Sequence, residues 1–144
     1  MTWQTQLKET AVALGLKGAD LVQKCSRKEL TDICNGIGPS WFPETLRSII
    51  TGLNPTLRIV ADLHDLMYYF ADGSDQQFEE ANRAFAENGA ILAKHTYSWY
   101  DPRRYAVILK ARRFATICQQ FGRLAYDKAI EDRKSKEMEG EKDA

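Results

Sequence analysis

Two stretches of this chain hold most of the groups that could do chemistry together. The first, Ala61-Asp62-Leu63-His64-Asp65-Leu66-Met67-Tyr68, carries an imidazole, two carboxylates and a phenol. The second, Glu80-Ala81-Asn82-Arg83-Ala84-Phe85, carries one amide in an apolar setting. Drawn as a helix at ~100° per residue, the segment 55–71 puts Arg58, Asp62, Asp65 and Tyr69 on one stripe, at i, i+4, i+7 and i+11. Leu57, Val60, Ala61, His64, Met67 and Tyr68 lie on the rest, so His64 sits in an apolar face with Tyr68 one turn on. In the segment 75–94 the apolar stripe is Phe78, Ala81, Phe85, Gly89 and Leu92, and Asn82 falls inside it. A buried polar group left unpaired costs about 1–3 kcal/mol. His64 and Asn82 are therefore expected to hydrogen-bond each other across neighbouring helices. Singly, each feature has a plainer explanation: a satisfied core histidine, a solvated carboxylate at Asp65, ordinary turn glycines at Gly36 and Gly38. The ordered combination is much rarer than its parts.

The elements that must position these groups are marked by caps and breakers. Residues 3–14 read as an amphipathic helix ended near Gly15 and Gly18, and Ser26 with Glu29 forms a capping box for a helix to about Ile33. Cys34-Asn35-Gly36-Ile37-Gly38-Pro39 is turn-rich, and Pro43 opens a helix to about Leu53. Asn54-Pro55 starts the helix to about Ala71, and Ser74 with Gln77 starts the helix 75–94. Their short connection makes these two antiparallel neighbours at the centre of the fold. Asp101-Pro102 starts a long C-terminal helix to about Asp132. No convincing strand alternation is present, so the expected class is all-α. Residues 1–132 form one helical domain. The last twelve, from Arg133, hold four basic and four acidic side chains and read as a disordered tail that folding can do without.

Composition narrows the function classes. The 144 residues are 44% apolar and 28% charged, a globular balance, and 20 basic residues against 20 acidic ones give zero net charge. Zero charge argues against a bulk nucleic-acid binder. Three cysteines, Cys25, Cys34 and Cys118, are too few and odd for a disulfide framework and fit a reduced compartment. Met1-Thr2-Trp3-Gln4-Thr5 shows no basic region leading into an apolar run, so no secretory signal is expected, and no apolar stretch reads as a membrane span.

Taken in order, the glycine loop Cys34 to Pro39, the His-Asp-x-x-Tyr helix around His64 and the segment Glu80 to Phe85 resemble the phospholipase A2 superfamily, in particular its disulfide-poor viral and phage-encoded branches. The likeness covers roughly Cys34 to Leu92 and extends weakly to Phe121. It implies a phospholipase A2-like helical fold and calcium-dependent hydrolysis of a phospholipid ester. His64 would be general base on the attacking water. Asp65, with backbone carbonyls near Asn35, Gly36 and Gly38, would bind Ca²⁺, and the cation would stabilise the oxyanion. Tyr68 would hold the residue that orients His64. A phospholipid surface would be the partner, and host cytoplasm or a virion the location.

The chain departs from the family at informative points. The orienting residue is an aspartate in the family and Asn82 here, which accepts a proton from the imidazole but cannot stabilise an imidazolium as a carboxylate does. Met67 replaces a cysteine of the secreted members, and the loop-to-His64 spacing is longer than theirs. A non-catalytic helical protein retaining the fold, as a virion component or regulator, is the competing expectation. Finally, the run from Tyr97 to Arg113 mixes Tyr97, Trp99, Tyr100 and Tyr105 with Arg103, Arg104, Lys110, Arg112 and Arg113. It could meet a protein partner, anionic headgroups or phosphates, but the favoured expectation is a helix start with its aromatics in the core and its arginines solvated. Trp41-Phe42 reads similarly, as core or as the wall of an acyl pocket.

Overall fold

Side-chain caps set the helix boundaries in the computed structural model, which describes residues 2–34 and 55–143. Thr2 accepts from the Thr5 amide to start α1 (Trp3–Leu14), which Gly15 ends in the left-handed region at φ 63°. After Gly18, at φ 95°, comes a short α2 (Ala19–Gln23) that the sequence reading did not include. Both halves of the Ser26–Glu29 capping box form at α3 (Arg27–Ile33). A 3₁₀ turn, Pro55–Leu57, leads into α4 (Arg58–Tyr69). At α5 (Asp75–Thr96) Ser74 accepts from the Gln77 amide, but the Gln77 side chain reaches past the cap to the Asp72 amide, so the box is only half made. Asp101 caps α6 (Pro102–Phe121), and α7 (Arg123–Asp143) follows. Among the described residues every regular element is helical. The expected helix 43–53 and the Asn54 cap lie outside them.

α4 is the hub because its side chains enter three apolar clusters. Leu63 and Leu66 meet Leu7, Ala11, Leu16, Val22 and Leu30 from α1–α3 and their links. Tyr68 meets Phe78 of α5 and Ala125, Tyr126 and Ile130 of α7. Val60, with Leu57 before it, joins Phe85 and Leu92 of α5 and Val107, Ala111 and Phe114 of α6. Each buried aliphatic or aromatic side chain contributes about 1.5–3 kcal/mol. α4 and α5 are antiparallel, as expected. Leu57 lies opposite Gly89, and the Tyr68 ring lies 5.8 Å from that of Phe78 at the other end. α5 and α6 are antiparallel too, with Phe85 and Phe114 rings 4.3 Å apart and Gly89 against Ala111.

Two expectations about the C-terminal third are corrected. The single helix to Asp132 is broken at Gly122, where a Cβ would crowd the Cys118 carbonyl and the Tyr68 hydroxyl. The break turns α7 back so that Tyr126 is fully buried and its hydroxyl donates to the Ser74 carbonyl. The stretch read as a disordered tail continues α7 to Asp143. Arg133 is not idle charge: its guanidinium donates to the carbonyls of Tyr69 and Ala71, at 3.1 and 2.8 Å, closing the C-terminal end of α4. Residues 134–140 are exposed, in keeping with their composition.

Two variants test this packing. Gly89→Ala places a methyl on top of the Ala111 methyl and should destabilise by about 1–3 kcal/mol. Gly140→Ala, which meets open space, should be neutral or slightly stabilising, and Ala111→Gly should partly restore the first variant in thermal melts. Arg133→Ala should lose about 1 kcal/mol by leaving two carbonyls short of a donor, whereas truncation after Lys134 should leave the melting temperature within a few degrees of the parent.

Candidate active site

The site is assembled from α4, α5 and α6. His64 and Tyr68, one turn apart on α4, both point at Asn82 on α5. His64 Nε2 is 2.9 Å from Asn82 Oδ1, and the Tyr68 hydroxyl donates to the same oxygen at 2.6 Å. Asn82 Nδ2 donates to Gln119 Oε1 of α6 at 2.9 Å. An amide oxygen only accepts, so this arrangement makes His64 the Nε2–H tautomer and leaves Nδ1 unprotonated. Among the described residues none hydrogen-bonds Nδ1. The imidazole is walled by aromatic rings, Tyr68 at 4.1 Å, Phe85 at 5.5 Å and Phe114 at 6.0 Å between centroids. His64 and Asn82 are buried, as their places in two apolar stripes require. Gly122 contributes by absence, since a Cβ there would stand 2.9 Å from the Tyr68 hydroxyl.

Burial controls the electrostatics. Desolvation outweighs the Asn82 hydrogen bond and lowers the His64 pKa to about 4, so the ring is neutral at physiological pH. On the neighbouring stripe Asp62 is buried, and desolvation raises its carboxyl to about 7 against the opposing pull of Arg58. Asp65 keeps partial surface access, yet burial, and then the Asp62 charge, holds its carboxyl well above the usual carboxylate range. The three cysteines are buried free thiols, each raised by desolvation and so poorly nucleophilic.

The structure thus brings His64, Tyr68 and Asn82 together. Asn35, Gly36 and Gly38, like Trp41 and Phe42, lie outside the described residues. Among the described residues no group of three or more His, Cys, Asp or Glu is arranged around a metal position. Gln119 escaped the sequence reading because it sits at the exposed edge of α6, beside the core residue Cys118, where periodicity gives no signal. It borders a groove of about 480 Å³ with Glu79, Arg83, Thr116 and Gln120. The aromatic run is also corrected: Trp99, Tyr100 and Tyr105 are exposed, and only Tyr97 is half-buried, under the Arg103 guanidinium. Asp101 holds Arg103 in an ion pair at the start of α6. Among the described residues no helix is long and apolar enough to cross a membrane.

Compared with protein-family models, curated proteins and solved structures, the chain matches none.

The depressed His64 pKa makes a stability statement with a definite sign. Unfolded, the ring titrates near its ordinary 6.5; folded, near 4. Its neutral-state contribution is intact above about pH 6.5, falls as pH drops towards 4 and is level below that. In urea melts at successive pH values the parent should lose about 3 kcal/mol relative to His64→Gln across that window. A difference that stays constant with pH would mean a charged or solvated ring.

Proposed function

We propose that this chain is a phospholipase A2-like ester hydrolase in which His64 is the general base. The observation that carries the reading is the direction of the hydrogen bonds: Nε2–H is committed to Asn82 Oδ1, and Nδ1 retains its lone pair. In the proposed reaction Nδ1 takes a proton from water as the water oxygen attacks the ester carbonyl, and gives it to the leaving alcohol oxygen as the ester C–O bond breaks. Asn82 and Tyr68 keep the ring in place while it carries the extra proton. Phe85 and Phe114 exclude water from its flanks.

Calcium fits the donor chemistry in part. Asp62 and Asp65 are carboxylates one turn apart whose negative charge is disfavoured where they stand, which a hard divalent cation would relieve. Asp65 is the proposed ligand, with Asn35, Gly36 and Gly38 completing the set. When bound, the ion supplies Lewis-acid stabilisation to the oxyanion. A phospholipid surface is the proposed substrate phase, and the outward Trp99, Tyr100 and Tyr105 with Arg104 suit an interface of apolar and anionic character.

Two features set the expected rate. A base with a pKa near 4 is weak at neutral pH. An amide at position 82 gives a developing imidazolium no countercharge. Asn82→Asp should therefore raise the basicity of His64 and increase calcium-dependent fatty-acid release from phospholipid vesicles. By analogy with the orienting aspartate of serine proteases, the expected gain is about one to four powers of ten. His64→Ala in that background should abolish it. Thermal melts must accompany the assay, because a carboxylate in this apolar setting costs stability unless His64 is protonated or Tyr68 donates to it. A folded Asn82→Asp variant without hydrolysis, together with no calcium binding by calorimetry in either form, overturns the hydrolase reading. The fold would then serve as a non-catalytic binding or structural module.

A further inference from the structure

The chain Tyr68 and His64 to Asn82 to Gln119 has a polarity, and its last member lies at the surface. Every side chain in it except Tyr68 is bound to present either a donor or an acceptor according to its neighbour. With Asn82 Oδ1 turned to His64 and Tyr68, its Nδ2 must find an acceptor on the other side, and Gln119 Oε1 is there at 2.9 Å. The reverse polarity is also self-consistent along most of the chain. Gln119 would present its NH₂ to Asn82 Oδ1, Asn82 Nδ2 would face the imidazole, and His64 would become the Nδ1–H tautomer, which has no lone pair at Nδ1. Only Tyr68 objects, since its hydroxyl hydrogen would lose the acceptor it has among the described residues.

We propose that Gln119 is a positioning residue: the Tyr68 hydroxyl, donating to Oδ1, sets the direction of the Asn82 amide, and Gln119, by accepting from Nδ2, holds it there and so supports the Nε2–H tautomer of His64. The proposal deepens the hydrolase reading and rests on it for its consequence, because only the Nε2–H tautomer leaves Nδ1 free to act as a base. It also explains how an amide can stand at position 82 and still orient the ring. A carboxylate accepts on both oxygens and has no direction to set; an amide does, and needs a neighbour that settles it. Gln119 is placed for that work. Among the described residues it is the hydrogen-bond partner of the Asn82 side chain outside α4, and it sits on α6, whose register against α5 is fixed by Phe85 against Phe114 and Gly89 against Ala111.

The test reads the tautomer directly. Two-bond ¹H–¹⁵N correlation spectra of the histidine rings at neutral pH separate protonated from unprotonated ring nitrogens, and His64→Gln identifies the His64 signals. The parent and Gln119→Glu, whose side chain still accepts, should both show Nε2–H. Gln119→Lys offers only donors and should shift the Nε2–H to Nδ1–H ratio towards Nδ1–H. Combined with Tyr68→Phe, which removes the opposing preference, the shift should reach about tenfold or more, the equivalent of one lost buried hydrogen bond. Gln119 is exposed, so its substitutions leave the apolar core intact, Tyr68→Phe removes only a hydroxyl from it, and dispersed spectra verify folding. Gln119→Arg, also donor-only, repeats the measurement if the lysine variant melts early. A parent ring in the Nδ1–H form, or a ratio unchanged in the folded double variant, overturns the proposal. No lipid, calcium or turnover enters this readout, so its failure and the failure of the hydrolase reading are seen separately.

Discussion

The hydrogen-bonding demand of one buried amide constrains the middle of this molecule more tightly than any other interaction. Asn82 is 2% exposed and makes three side-chain hydrogen bonds, two received by its oxygen from α4 and one given by its nitrogen to α6. Left unmade, each would cost about 1–3 kcal/mol. The apolar contacts around it are non-directional and would tolerate small shifts of register; the amide does not. A slide of one residue along α5 would swing position 82 by ~100° away from both partners. The close approach at Gly89 and Ala111 serves the same end, because it brings α6 near enough for a glutamine side chain to reach Asn82. A second amide, Asn88, does comparable work at the other side of α5. It accepts from the Lys17 amide at 2.8 Å and donates to the Lys17 carbonyl at 2.9 Å, fastening the link after α1 to the central helices.

What the sequence disclosed, and what it did not, follows from the range of each interaction. Local devices were legible: the Ser26–Glu29 box, the Ser74 cap and the Asp101-Pro102 start are settled within four residues and appear where they were expected. The His64–Asn82 bond was legible because two polar residues interrupted two apolar stripes joined by a short turn. Asn88 carries a similar signal, at i+3 from Phe85, yet passed as an ordinary polar residue. Gly122 and Arg133 were not legible, since their roles depend on elements more than fifty residues away in sequence: Tyr68 under the glycine, the end of α4 under the guanidinium. The burial of Asp62 had no sequence signal at all. Its helical stripe is charged in sequence, but the carboxylate is buried in the fold.

Asp62, Asp65 and His64 set opposing pressures on one helix. Burial favours the neutral form of all three, but the proton goes on for the acids and off for the imidazole. As pH rises from about 4 towards 7, the contribution of protonated Asp62 is lost; as it falls from 6.5 towards 4, that of neutral His64 is lost. α4 is therefore a segment whose charge state is held against water by packing. Side chains that break the ordinary rule of burial in this way concentrate where a protein has something to do besides fold.

The same conflict bears on why position 82 holds an amide. A carboxylate there would raise the basicity of His64, but it would place an anion in a buried site where, among the described residues, no buried cation meets it unless the imidazole protonates. Isolated buried charge is far costlier than a buried neutral group with its hydrogen bonds made. Asn82 resolves this in favour of a neutral interior: histidine, amide, phenol and glutamine satisfy one another without any formal charge. What is given up is the countercharge that a proton-accepting imidazole needs. What is required in exchange is a settled direction for the amide, a demand that a carboxylate would not have made and that falls on Tyr68 inside and Gln119 at the surface. Stability and base strength are thus set against each other at a single position, and the direction of the amide, held by Tyr68 on one side and Gln119 on the other, is what leaves His64 Nδ1 its lone pair.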